Sequence, residues 1–88
     1  MSEVAAQMPR YKCHKVVSAL KIGEGPIEVQ ENGDAIFPIA DGGFAPLLIE
    51  NATTMRYFPS PGDYFVVYED GYKSISPRKA FEEGYTRI

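Results

Sequence analysis

The sequence predicts an α+β domain: a small antiparallel β-sheet of about four or five strands, one or two short helices, and a C-terminal hairpin–helix unit. Three observations carry that expectation. Asn32-Gly33 and Asp70-Gly71 each separate runs rich in alternating, β-branched or aromatic residues, which is the strongest short-range signal for a tight hairpin. Ser76-Pro77 and Gly84 bracket a helix of about two turns. Eight of the eleven aromatic residues lie from Tyr57 onward, so the core centres on the last third of the chain.

Taken in order, residues 1–9 have no pattern and read as a flexible leader, followed by a single domain over 10–88. Between Tyr11 and Ile22, the stretch Lys15-Val16-Val17-Ser18-Ala19-Leu20-Lys21-Ile22 fits a strand with Val16, Leu20 and Ile22 inward; a short amphipathic helix is the alternative. Gly23-Glu24-Gly25-Pro26 is a turn. Ile27 to Gln30 alternates, and Asn32-Gly33 returns the chain through Ala35 to Ile39. A two-residue turn here sets Ile36 beside Val29 and Phe37 opposite Glu28, so either another element covers Phe37 or the loop is longer and the register shifts. Pro38, with no N–H to donate, argues for an edge. Ala45 to Ile49 is a candidate fourth strand. Glu50 to Tyr57 suits a brief helix, with Met55 facing the core, before Pro59 ends it.

The closing unit is the most explicit. Pro61-Gly62 is a turn, and Tyr64 to Tyr68 is almost wholly β-branched or aromatic. If Asp70 and Gly71 are the central residues of a type I′ turn, Tyr68 pairs with Lys73 and Val66 with Ile75. Val66, Tyr68, Lys73 and Ile75 then share one face, and Phe65, Val67, Tyr72 and Ser74 the other. Neither face is purely polar, so both sides of the hairpin touch something. Ser76 is the expected N-cap with Pro77 at the first helical position, Gly84 the left-handed residue past the end, and Ala80, Phe81 and Tyr85 the packing side chains.

Eighty-eight residues suffice for one core that buries somewhat over about 60% of the unfolded surface. The net charge of −3 gives no bulk attraction to nucleic acid or an acidic membrane. No basic residue lies between Lys21 and Arg56, where Glu24, Glu28, Glu31, Asp34, Asp41 and Glu50 fall, so the charge is two-signed along the chain. A single cysteine excludes an internal disulfide, and neither a secretory signal nor a membrane-spanning run is present. A cytosolic location is the default expectation.

Catalytic patterns are missing. Cys13 and His14 are adjacent, and on a strand adjacent side chains point apart, which rules out a thiolate–imidazole pair there. Nitrogen and sulfur ligands are too few for a usual metal site, no phosphate-cradling glycine loop occurs, and no cofactor is expected. Glu82-Glu83 reads as solvated surface. One constellation suits binding: Tyr64, Tyr68, Tyr72, Lys73, Arg78 and Lys79, tyrosines and cations on the hairpin and helix start that could grip a phosphate, a base or an acidic partner. The alternative is that these tyrosines are core residues with a wet hydroxyl.

Through Pro61-Gly62-Asp63-Tyr64-Phe65-Val66-Val67 and Ser76-Pro77-Arg78-Lys79-Ala80-Phe81-Glu82-Glu83-Gly84-Tyr85 the chain resembles small proteins encoded by tailed bacteriophages and prophages. These close with a Pro-Gly-Asp-aromatic strand, a turn, a second strand and a Pro-x-x-x-Phe-Glu-x-x-Tyr ending. The stretch from Tyr11 to Ile22 is similar to their N-terminal strand. The resemblance implies phage origin and carries over no catalytic residue. The expected function is a phage-encoded, non-enzymatic protein that acts in the host cytoplasm by binding a host bacterial protein, in host takeover or counter-defence, with the C-terminal hairpin and helix as contact surface. Two alternatives stand beside it: a self-associating sponge for a small nucleotide, and a minor virion or assembly component.

Overall fold

The structure is a computed structural model that describes residues 8–12 and 16–88. Among these residues there are eight strands and two short helices. The strands are β1 (Arg10–Lys12), β2 (Val16–Lys21), β3 (Glu28–Val29), β4 (Ala35–Phe37), β5 (Leu47–Ile49), β6 (Tyr64–Val67), β7 (Lys73–Ser76) and β8 (Thr86–Arg87). The helices are α1 (Asn51–Thr54) and α2 (Arg78–Gly84). They form two antiparallel sheets, a five-stranded one in the order β7-β6-β2-β1-β8 and a three-stranded one in the order β3-β4-β5. The predicted α+β class is the one observed, with the middle of the chain forming a second sheet of its own. Cys13 and His14 lie outside the described residues, as do residues 1–7 of the expected leader; Met8, from its end, is buried in the core.

The larger sheet is covered on both faces. On one side Leu20, Ile22, Phe65, Val67 and Ile75 pack against Ala35, Phe37 and Ile49 of the small sheet. On the other, Val17, Ala19, Tyr64 and Val66 pack against Phe81 of α2. This explains why β6 is buried at all four positions and why its sequence lacks a polar alternate. β2 is likewise two-faced: Leu20 and Ile22 point inward as expected, while Val17 and Ala19 are buried beneath the helix and Val16 is only half-buried. A bridge between Ile22 and Ile39 joins the end of β2 to the small sheet.

Both hairpins depart from the expected two-residue turn in the same way. Val67 pairs with Lys73 and Phe65 with Ile75, so Glu69-Asp70-Gly71 form a three-residue loop. Glu28 pairs with Ile36 and Val29 with Ala35, leaving Glu31-Asn32-Gly33 as the equivalent loop. In each, the glycine N–H donates to the carbonyl three residues back, Gly71 to Tyr68 and Gly33 to Gln30, both at 2.9 Å. Only the glycines have positive φ, +91° in both cases. This is a type I turn followed by a glycine bulge, which asks nothing unusual of Asp70 or Asn32. Their carboxylate and amide oxygens instead accept the backbone N–H two residues on, Tyr72 at 2.9 Å and Asp34 at 3.0 Å. The one-residue shift exchanges the faces of β7: Lys73 and Ile75 join Phe65 and Val67, while Tyr72 and Ser74 join Val66 and Tyr68. In the small sheet the longer loop sets Ile36 rather than Phe37 opposite Glu28, while Phe37 pairs with Leu47 of β5 and is fully buried.

The helices differ from expectation at their ends. α2 starts one residue later, with Pro77 rather than Ser76 at the N-cap, and Gly84 remains helical without positive φ. α1 turns Thr53 and Thr54 inward, whereas Met55 is 76% exposed.

Candidate binding surface

The six residues singled out from sequence do not converge on one site. Tyr64 is 5% exposed and belongs to the core beneath α2. Its ring stacks on Phe81 at 4.1 Å, Phe81 stacks on Tyr85 at 4.7 Å, and Tyr11 closes edge-on against both Tyr64 and Phe81. Such offset and edge-to-face pairs add about 0.5–1.5 kcal/mol each beyond burial, enough to hold a two-turn helix that would not persist alone. The Tyr64 hydroxyl donates to Glu82 Oε2 at 2.8 Å. Burial first, then that carboxylate, push its pKa well above the ordinary 10.0.

Glu82, expected to be mere solvated surface, gathers this side of the molecule. It accepts from the Tyr64 hydroxyl and from Lys21 Nζ at 3.2 Å, and Arg78 Nε lies 3.5 Å from its other oxygen. The hydrogen bonds from Tyr64 and Lys21 hold its pKa below the usual carboxylate value. Arg78 is therefore engaged with a carboxylate within its own helix, and Lys79 is exposed on the next position.

Tyr68, Tyr72 and Lys73 sit at the other end of the hairpin. The two tyrosine rings lie 5.7 Å apart and, with Val16, Glu69 and Asp70, line an open groove of about 480 Å³. Two carboxylates on that rim oppose an anionic ligand. Lys73 Nζ is 3.9 Å from Glu50 Oε1. Among the described residues, no group of His, Cys, Asp and Glu side chains is placed to hold a metal ion, and no helix is long and apolar enough to cross a membrane.

Two features escaped the sequence reading. The first is Asp63, 6% exposed, whose carboxylate serves three donors from three segments. Oδ2 accepts Ser60 N at 2.8 Å and the Tyr57 hydroxyl at 3.1 Å, and Oδ1 accepts Arg78 N at 2.9 Å. It thus caps α2 from fifteen residues upstream, where Ser76 was expected to do so. The hydrogen bond to Asp63 is also the leading cause that raises the Tyr57 pKa.

The second is an exposed ridge after α1. Met55, Tyr57 and Phe58 are 76%, 40% and 49% exposed, and Tyr72 beside them is 52% exposed. The ridge is held from below. Arg56 Nη1 donates to the Tyr72 hydroxyl, its guanidinium lies 4.9 Å from that ring, and Nη2 donates to the Lys73 carbonyl at 2.7 Å. Phe58 packs on Phe37 at 5.3 Å, and Pro59 behind it is fully buried. The only sequence signal was the apolar character of Met55-Arg56-Tyr57-Phe58, which core packing explains equally well.

The chain matches no protein-family model and no curated protein. Among solved structures it is similar to the solution NMR structure of the monomeric form of the phage L decoration protein, with a TM-score of 0.63 and 27% identity. The match covers 98% of this chain and 63% of that one, so the chain spans just under two-thirds of the length of that protein. The likeness supports the phage origin implied by the family resemblance. It also corrects three expectations. A decoration protein is a virion component and not an enzyme, which overturns the main reading of a host-protein binder, the inhibitory or anti-defence role, and the host cytoplasm as location. The virion alternative is the one that it favours.

Proposed function

We propose that the chain is a capsid decoration module: a non-enzymatic domain that seats on an assembled phage shell and acts through shape and surface. The observation that carries this is the likeness to the phage L decoration protein over 98% of the chain at 27% identity. The physical character of the domain fits. Two sheets and a clamped helix enclose two apolar clusters, and polar groups such as Asp63 and Glu82 are spent on holding elements together. Self-association belongs to the same proposal, because linked copies on a repeating surface gain avidity without any new contact.

The test is mass spectrometry of purified virions of the encoding phage. The proposal expects the chain in the particles at a fixed ratio to the major shell protein, retained through density-gradient purification. Particles that lack it, with the chain recovered only from the soluble lysate, refute the proposal.

A further inference from the structure

We propose that the chain carries one helix latch twice, and that the first copy makes α1 a strap that opens while the rest of the fold stays closed; this goes beyond the decoration reading and does not rest on it. Asp34 precedes β4 and Glu50 follows β5, just as Asp63 precedes β6 and Pro77 follows β7. The pairs Ala35–Ile49 and Tyr64–Ser76 bring each aspartate beside the start of the helix that follows. Asp34 Oδ1 accepts Asn51 N at 2.8 Å, as Asp63 Oδ1 accepts Arg78 N at 2.9 Å. The second oxygen of each serves its own turn, Asp34 Oδ2 the Asn32 amide at 3.0 Å and Asp63 Oδ2 the Ser60 N–H at 2.8 Å. The N-cap residues share one extended backbone, φ −68° and ψ 148° at Glu50 against φ −57° and ψ 143° at Pro77, and neither makes a side-chain cap of its own. A positive-φ glycine precedes each aspartate, Gly33 at +91° and Gly62 at +95°. A Cβ there would meet the first helical side chain, Asn51 at 2.8 Å and Arg78 at 3.0 Å. Each Gly-Asp pair thus supplies both the room for the first helical residue and the acceptor for its N–H.

The two copies differ in what backs them. α2 inserts Phe81 into the aromatic stack with Tyr64, Tyr85 and Tyr11. α1 buries only Thr53 and Thr54, and neither belongs to an apolar cluster. Between Ile49, in the core, and Phe58, packed on Phe37, the side-chain holds on this stretch are polar. They are the Asp34 latch, the Glu50–Lys73 pair at 3.9 Å, Arg56 on Tyr72 and the Lys73 carbonyl, and Tyr57 on Asp63. Each lies at least partly in solvent, so water replaces it when it parts. A cavity of about 310 Å³ lined by Glu50, Thr53, Ile49 and Phe65 adjoins α1, so the helix lifts without breaking tight apolar packing. Few buried apolar contacts and exposed hydrogen bonds are the marks of a segment that opens at low free energy.

The experiment is native-state amide exchange of the full chain, followed by NMR, with each rate corrected for the intrinsic exchange of that amide. The reporters are the Thr54 and Met55 N–H groups, bonded to Glu50 and Asn51 carbonyls in α1, the Phe81 N–H in α2, and the amides of β6. In the wild type the α1 reporters are expected to be protected about ten- to a hundredfold, and Phe81 and β6 about a thousandfold or more. Asp34→Ala should abolish the α1 protection and speed β6 by no more than that same factor, because an open strap has nothing further to lose. Asp63→Ala should instead speed Phe81 and β6 together by more than about a hundredfold, because the stack ties α2 to the sheet. Thr54 and Met55 as slow as β6 in the wild type, or with no protection at all, would overturn the strap. So would α1 protection that survives Asp34→Ala, or a β6 acceleration in that variant beyond the wild-type α1 factor. The wild-type rates alone decide the matter if a variant does not fold.

Discussion

Removing the Asp63 carboxylate tests how this fold is held. Its two oxygens join the Ser60–Asp63 turn, Tyr57 at the base of the ridge and the first turn of α2. Hydrogen bonds to a charged acceptor contribute about 1.5–3 kcal/mol each, but Ser60, Tyr57 and Arg78 are all exposed enough for water to recover part of that. Asp63→Ala is therefore expected to cost about 3–4 kcal/mol, a large share of the roughly 5–13 kcal/mol available to a domain of this size. At about 4–8 °C per kcal/mol, Tm falls by at least roughly 12 °C. Asp63→Asn keeps one acceptor oxygen and turns an amide donor toward the remaining N–H or O–H groups, so it falls between wild type and Ala. Tyr57→Phe removes only one, exposed, partner and is expected to cost much less than Asp63→Ala. Urea unfolding followed by far-UV circular dichroism suits a chain without tryptophan. A cost under about 1 kcal/mol for Asp63→Ala would refute the role assigned to this carboxylate.

Three further outcomes follow from the geometry. Phe81→Ala removes the centre of the aromatic stack and should cost about 3–5 kcal/mol by urea unfolding, with α2 losing amide-exchange protection first. Gly33→Ala and Gly71→Ala both force alanine to φ +91°, but an added Cβ at Gly33 meets the Asn51 side chain at 2.8 Å and at Gly71 meets open space; Gly33→Ala is expected to be the more destabilising, and equal costs would contradict the loop geometry. The pKa of Glu82 is lowered by folding, so its contribution is complete above the ordinary 4.5 and is lost as pH falls through the lowered value. That of Tyr64 is raised, so its contribution is complete below 10.0 and is lost as pH rises beyond it. In Tm measured against pH, Glu82→Gln should flatten the acid limb and Tyr64→Phe the alkaline one.

Much of the architecture was readable in the residues that make it. Asn32-Gly33 and Asp70-Gly71 located both hairpins, the β-branched and aromatic run in β6 announced a strand with contacts on both faces, and of the three side chains expected to pack the last helix Phe81 and Tyr85 do so while Ala80 is exposed. The register was not readable, because a glycine closes a type I′ turn and a type I turn with a bulge alike. What decides is whether Asp70 and Asn32 bond their own backbone two residues on, and both do. The cap of α2 was misassigned to Ser76 because the group that performs it, Asp63, is brought there only when β6 pairs with β7. The tyrosine–cation cluster dissolved for a related reason. Tyr64 and Tyr68 share a face, but Tyr64 is buried under the helix, whereas Tyr68 packs against that cluster only in part and faces Tyr72 at the hairpin end. The ridge could not be told from core packing, since Met55, Tyr57 and Phe58 are residue types that fill a core as readily as they line a surface.

The central claim is tested most directly by cryo-electron microscopy of undecorated shells of the encoding phage, imaged with and without the purified chain. The account predicts added density of about 10 kDa per copy at regularly repeated positions on the outer surface. Saturating protein with no ordered density on the lattice would contradict it.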